Sequence, residues 1–121
     1  MLAHAPSLAD TARDVASGVA DSRRLHEAFL VATVYCERGA DPGFRALGAP
    51  GAGVVPVFSS VEQLALARGP VRWFSTAGAD LLAQLSAGSA LVLDIAGQHP
   101  LRLCPGAAGV HATVSLGAVS A

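Results

Sequence analysis

The sequence has no lysine and no asparagine, and all eight of its basic residues are arginines. Lysine and asparagine have AT-rich codons, so this bias predicts a GC-rich bacterial genome. Charged residues make up only 14% of the 121 residues and apolar residues 52%, which excludes a disordered chain. The net charge of −1 provides no basic surface for nucleic acid. With so few charges, part of the apolar surface is expected to be exposed or covered by a partner.

Cysteine is also scarce, because Cys36 and Cys104 are the only two. Both lie in predicted strands, where small thiols are usually buried, and we expect both to be free in a cytoplasmic protein. The four histidines share no metal-ligand spacing, so the sequence predicts no metal site and no cofactor. The first residues lack the basic region of a signal peptide, and no uninterrupted apolar run suits a membrane span. A cytoplasmic location is therefore expected.

Hydrophobic periodicity and capping residues predict where helices and strands lie. Ser7–Ala20 has a thin apolar stripe at helical spacing, so this helix needs a surface to pack on. Val54–Phe58 is a predicted strand, with Pro56 marking an edge because proline lacks a backbone donor. Val110–Leu116 alternates like a half-buried strand. The remaining predicted elements are a helix capped by Asp21 or Ser22 and ending at Phe29, strands Leu30–Glu37, Val71–Ser75, Ala90–Ile95 and Leu101–Cys104, helices from Ser60 to about Arg68 and over Thr76–Ser86, and a loop over Arg38–Gly53.

The order of these elements predicts the fold. A central β-α-β-α-β run followed by a hairpin favours neighbouring parallel strands joined by right-handed crossovers. We therefore expect an α+β fold (α/β layers), in which helices pack on a mixed β-sheet, plus an N-terminal helical segment. Residues 1–20 are expected to form that helix or arm, and residues 21–121 a single domain.

Two pairs of polar residues are candidates for a site. Ser59 and Ser60 follow a strand and open a helix, where a nucleophile or an anion-binding turn can lie. A glutamate and a glutamine follow them at capping-box spacing, so helix capping is the simpler interpretation of both serines. Asp94 and His99 could form an acid–base pair. Hydrogen bonding of Asp94 to the amides of the following turn is the simpler role.

A second group of residues is a candidate for a protein interface. Trp73 and its neighbour Phe74 must point to opposite faces of a strand, so one is expected in the core and the other under a helix. An exposed Trp73 beside Arg72 would instead be an interface anchor. An exposed edge of the alternating C-terminal strand could add a partner strand. The candidate interface residues are Trp73, Arg72, Val110, Val114 and Leu116.

Three groups of short segments carry a family resemblance. They are Leu25–Tyr35, then Val55–Ser60 with Glu62 and Leu64, then Trp73–Ser75, Gly78–Leu82, Leu91–Asp94 and His99–Leu101. Together they cover about Leu25 to Pro105 and resemble the N-terminal domain of the SseB family, particularly its small actinobacterial members. Many members have Asn-Pro where this chain has Asp94-Ile95. The resemblance implies the family's fold and no catalysis, and the family is associated with a serine-sensitivity phenotype and with secretion systems.

Together these observations favour a small noncatalytic domain that binds a protein partner or self-associates, with a role in secretion or stress. Neither a nucleic acid nor a membrane span is expected. The alternative is a small-ligand binder or hydrolase-like enzyme that uses Ser59 or Ser60 with Asp94 and His99, because ligands of open α/β sheets bind at strand ends. Enzymatic activity is left open, and its absence is favoured.

Overall fold

The computed structural model describes residues 7–38, 53–85, 89–106 and 109–114. Within these ranges the chain forms four helices and six strands, which confirms the expected α+β class. The predicted loop Arg38–Gly53, apart from its two ends, lies outside the described residues, as does Leu116. The elements are α1 (Leu8–Ala16), α2 (Ser22–Val31), β1 (Thr33–Glu37), β2 (Val54–Val57), α3 (Val61–Arg68), β3 (Trp73–Ala77), α4 (Gly78–Gln84), β4 (Ala90–Leu93), β5 (Leu101–Gly106) and β6 (Gly109–Val114).

Capping side chains set the starts of three helices. Ser7, Asp21 and Ser60 each accept a hydrogen bond from the backbone N–H three residues later, at 3.0, 3.0 and 3.1 Å respectively. These bonds satisfy backbone donors that have no partner within the first helical turn. The helix α3 ends at Gly69, whose φ of 68° is in the left-handed region that glycine adopts without a steric penalty. The predicted caps of α2 and α3 are therefore confirmed.

The N-terminal helix is shorter than predicted. Periodicity extended it over Ser7–Ala20, but α1 ends at Ala16, because Gly18 adopts a φ of 80°. Val19, which the apolar stripe included, lies beyond the helix and is 76% exposed. The predicted strand Leu30–Glu37 also begins later, because α2 takes its first residues. Both β3 and α4 begin two residues later than predicted.

The six strands form two sheets. The larger has the order β2-β4-β5-β6, with β2 and β4 parallel and the other pairs antiparallel, so the expected mixed sheet is confirmed. The smaller joins β1 to β3 in antiparallel register. A bridge between Tyr35 and Phe58 links the two sheets. The expectation that all strands of the β-α-β-α-β run would be parallel neighbours is wrong, because β3 pairs with β1.

Burial is consistent with the absence of β3 from the sheet that contains β2 and β4. All four residues of β4 are buried, as a strand covered on both faces requires. Among the residues of β3 only Phe74 and Thr76 are half-buried, and the other three are exposed. A strand with three exposed residues is not covered on both faces, so β3 does not lie between β2 and β4, and these two strands pair directly.

The core lies between the helices and the larger sheet. Leu25 and Phe29 of α2 are fully buried, and α2 contacts β6, α1 and α4. Leu8 and Ala12 of α1 belong to the same core, so the N-terminal helix packs on the rest of the domain. Gly78 allows α4 to start against α2, because a Cβ there would overlap the carbonyl oxygen of Phe29.

Candidate functional site

The two serines at the start of α3 make different contacts. Ser60 caps the helix through its Oγ, which accepts from the backbone N–H of Gln63. Ser59 instead donates its hydroxyl to Oδ2 of Asp94 at 2.6 Å and its backbone N–H to Oδ1 at 2.8 Å. Capping is therefore the correct interpretation of Ser60 and the wrong one of Ser59. The difference arises because parallel pairing of β2 with β4 brings the end of β4 beside Ser59.

Asp94 is buried at the end of β4, with 6% of its surface exposed. Its φ of 52° lies in the left-handed region, where aspartate and asparagine are the most common residues after glycine. Because its carboxylate faces Ser59, the predicted bonding to turn amides is wrong. A backbone bond of 2.9 Å from the N–H of Gly97 to the Asp94 carbonyl closes the turn instead. Burial raises the pKa of Asp94, and the two hydrogen bonds from Ser59 lower it by a smaller amount.

A cleft of about 310 Å³ opens beside this carboxylate, between α1, α3 and the turn that joins β4 to β5. We call it the Asp94 cleft. It is lined by Ala9 and Ala12 of α1, Gln63 and Leu66 of α3, and Asp94, Ala96, Gly97, Gln98 and His99 of the turn.

Gln63 is a polar residue of this cleft that the sequence did not single out as a site residue. Its Oε1 is buried and has no hydrogen-bond donor among the described residues. Gly97 lies against it, since a Cβ on that glycine would come within 2.8 Å of Gln63 Oε1. The capping-box spacing after Ser60 was the only signal that marked Gln63, and that signal concerned helix geometry alone.

His99 lines the same cleft and is exposed. Among the described residues no hydrogen bond joins it to Asp94 or to Ser59. In serine hydrolases a histidine stands between the serine and the carboxylate and takes the hydroxyl proton. Here the hydroxyl of Ser59 contacts the carboxylate directly. Among the residues that the structure describes, no histidine is placed to activate the serine.

Within the described ranges, no cluster of three or more histidine, cysteine, aspartate and glutamate residues could hold a metal ion. None of the helices in that part of the chain has the length and hydrophobicity needed to cross a bilayer. Cys36 is buried and Cys104 half-buried, and both thiols are free.

The candidate interface residues lie in different environments. Trp73 is 45% exposed and meets the ring of Tyr35 edge to face, with centroids 5.6 Å apart. Phe74 points to the other face, where it packs against the core. Arg72 is exposed. Val110 is buried in the core, so its side chain is not offered to a partner, and Val114 ends β6.

The fold and the cleft define a small α+β domain with a mixed sheet and a polar pocket at a strand end. The SseB protein N-terminal domain matches residues 7–107, so the chain belongs to the SseB family. This match confirms the resemblance found in the sequence and extends it over α1. No curated protein and no solved structure matches the chain.

Proposed function

We propose that this domain is a noncatalytic protein-binding module that accepts an extended strand of another polypeptide along the outer edge of β3. The observation that supports it is the unpaired backbone of β3 on the side away from β1. In the described part of the chain no strand lies along that side. Strand addition to a free edge is a common mode of peptide recognition, in which backbone hydrogen bonds provide affinity.

The direction of the β3 backbone follows from the bonds of its neighbour. Tyr35 of β1 exchanges two backbone hydrogen bonds of 2.9 Å with Phe58, on the side of β1 away from β3. The pair Tyr35–Ser75 is therefore a non-hydrogen-bonded pair of the antiparallel ladder. The N–H and C=O of Ser75 consequently point away from β1, and by alternation those of Trp73 do the same. These groups are free to bond with an added strand.

The outer edge of β2 is less available. Val57 accepts a backbone hydrogen bond from Asp94 on the β4 side, so Pro56 faces the outer side. Proline has no N–H to donate, as expected for an edge position. The bridge between Phe58 and Tyr35 occupies the end of the same edge.

The outer edge of β6 is closed by side chains of α2. The N–H of Val110 donates to Nδ1 of His26 at 3.2 Å, and the N–H of Ala112 donates to Oγ of Ser22 at 3.0 Å. These bonds satisfy donors that an added strand would need. Edge strands protected in this way are poor templates for pairing. Among the strands that the structure describes, the edge of β3 is the one left for a partner.

Side chains near β3 suit a protein contact. Trp73 is an exposed aromatic residue of the kind enriched in binding hot spots, and Arg72 next to it is exposed. The low content of charge also favours association. A role in secretion or stress, which the family resemblance implies, would be carried out through this contact.

The test compares two edge variants with a matched control. Ser75→Pro removes an N–H that β1 does not use, and Trp73→Lys places a charge on the edge. Val31→Lys is the control, because Val31 is exposed to 85% and lies on α2. Light scattering after size exclusion measures self-association, and affinity capture from the native host, quantified by mass spectrometry, measures other partners.

We expect the wild type and Val31→Lys to form the same dimer or to capture the same partner. In both edge variants the affinity for that dimer or partner should fall at least about tenfold. Circular dichroism confirms that each variant is folded. Strand addition at β3 would be refuted if the wild type is strictly monomeric and both edge variants retain the proteins that the wild type captures.

A further inference from the structure

We propose that His26 is a pH-sensitive latch on the edge of β6, because its neutral imidazole holds the N–H of Val110 and a proton on the ring releases it. The latch joins α2 to β6 and shares no residue with the β3 edge, so its test does not depend on strand addition there. The proposal rests on the direction of one hydrogen bond, in which Val110 donates and Nδ1 of His26 accepts at 3.2 Å.

This hydrogen bond fixes which nitrogen of the ring carries the proton. A backbone N–H can only donate, so Nδ1 of His26 must offer a lone pair to Val110. In a neutral imidazole one nitrogen accepts and the other donates, so the proton lies on Nε2. In the imidazolium both nitrogens carry protons and neither can accept. Protonation of His26 and the bond from Val110 therefore exclude each other.

The helix that carries the ring is anchored independently of this bond. Leu25 and Phe29, on either side of His26 in α2, are fully buried in the core. The ring itself lies against Gly109, since a Cβ there would come within 3.2 Å of two ring carbons. Protonation should therefore turn the ring away from Val110 while α2 stays packed on the sheet.

The latch borders a cleft of about 520 Å³, through which water can bring a proton to the ring. The other charged or titratable groups that line it are Arg23 and Glu27 of α2 and His111 of β6. Arg23 and Glu27 lie 3.7 Å apart as an exposed ion pair without net charge. The helix α2 also packs on α1 and α4, and neither contributes a described residue to the lining. His111 is thus the second histidine that a test must control for.

Ser22 provides the other half of the closure and does not respond to pH. Its hydroxyl accepts from the N–H of Ala112 at 3.0 Å and donates to the C=O of Ala112 at 3.4 Å. Histidine is the side chain whose charge ordinarily changes between about pH 5 and about pH 8, so the serine bonds persist over that range. On acidification Val110 is released and Ala112 stays bonded. The edge of β6 then opens at one position only.

The test measures hydrogen exchange of the Val110 and Ala112 amides in the full chain by ¹H–¹⁵N NMR, at about pH 7.5 and about pH 5. Each rate is divided by the rate of an unstructured peptide at the same pH, which gives a protection factor. We expect the protection of Val110 to fall about fivefold at the lower pH, as the loss of one ordinary hydrogen bond predicts, and that of Ala112 to stay unchanged. Nitrogen-15 spectra of the His26 ring should show the Nε2–H tautomer at the higher pH.

Three variants separate the latch from other effects of pH. His26→Asn keeps an acceptor atom bonded to Cγ, as Nδ1 is, and does not titrate, so Val110 should stay protected at both pH values. His26→Ala has no acceptor, so Val110 should exchange rapidly at both. His111→Gln should behave like the wild type. Circular dichroism confirms that each variant is folded.

Three results would overturn the latch. The first is an Nδ1–H tautomer of His26 in the wild type at the higher pH, and the second is protection of Val110 that is equal at both pH values. The third is an equal fall of protection in His26→Asn. A parallel fall at Ala112 in the wild type would show that acid loosens the whole domain, and it would also refute a local latch.

Discussion

At the scale of single residues, the contact of Ser59 with Asp94 connects the end of β4 to the start of α3. A buried carboxylate is stable only if its oxygens are hydrogen-bonded, and Ser59 supplies both bonds. The adjacent Ser60 performs an unrelated task as the cap of α3. Two neighbouring serines thus contribute to stability through different physical effects.

Replacing each serine by alanine separates these effects. Ser60→Ala removes one neutral cap and should lower the free energy of unfolding by about 1 kcal/mol. Ser59→Ala removes a hydrogen bond to a carboxylate and should cost about 1.5–3 kcal/mol near neutral pH. Urea unfolding followed by circular dichroism measures both values. Equal losses in the two variants would contradict the assigned contacts.

The pH dependence of stability should report the ionisation of Asp94. Because burial raises its pKa above the ordinary value of 3.8, the folded protein binds this proton more tightly than the unfolded chain. Ionisation of Asp94 therefore lowers stability as the pH rises through the folded pKa. Asp94→Asn removes that penalty, so we expect the variant to gain stability relative to the wild type between about pH 4 and about pH 7.

The comparison of urea midpoints at the two pH values decides this prediction. Other carboxylates titrate in both proteins and cancel in the difference. A difference that stays constant with pH, or that favours the wild type more at the higher pH, would contradict the raised pKa.

At the scale of elements, local signals predicted the starts of α2 and α3 and the end of α3. Side chains at helix starts and glycines with positive φ act within a few residues, so Asp21, Ser60 and Gly69 could be recognised in the sequence. The end of α1 was missed, because the apolar stripe continued to Val19. Periodicity alone does not show which residues of a stripe find a surface to pack on.

The packing of α1 can be tested with one residue from each part of that stripe. Leu8 is 6% exposed and lies in the core, so Leu8→Ala should cost about 2–5 kcal/mol. Val19 lies outside the helix, so Val19→Ala should change stability by less than about 0.5 kcal/mol. Urea unfolding measures both. A small effect of Leu8→Ala would mean that α1 does not dock on the domain in solution.

At the scale of the whole molecule, pairing between distant strands is the part that the sequence could not determine. The order of elements suggested that β3 lies between its neighbours in one sheet, and only burial along each strand separates that arrangement from the observed one. The site depends on the same pairing. Asp94 reaches Ser59 because β2 and β4 are adjacent, and no local pattern indicates a contact across 35 positions.

The accessibility of the two thiols should report how the whole molecule opens. Cys36 is buried in β1, and burial raises the pKa of its thiol to about 11, so it is protonated and shielded in the folded state. Cys104 is half-buried. With iodoacetamide under native conditions, we expect Cys104 to be alkylated first and Cys36 only through unfolding.

Peptide mass spectrometry over time distinguishes the two sites. The rate at Cys36 should rise with urea in parallel with the unfolded fraction. Rapid alkylation of Cys36 in buffer without urea would show that β1 is exposed in the folded protein.

The closure of the β6 edge by Ser22 and His26 limits the stoichiometry of any assembly. A chain that presents one open edge has a valency of one for strand addition. Once β3 has taken up a strand, the described part of the molecule offers no comparable edge from which a sheet could continue, because β6 is closed and the outer edge of β2 carries Pro56. Growth should therefore stop at two chains, as a twofold homodimer or a one-to-one complex. A higher protein concentration should raise the fraction of chains in this complex and should not produce filaments.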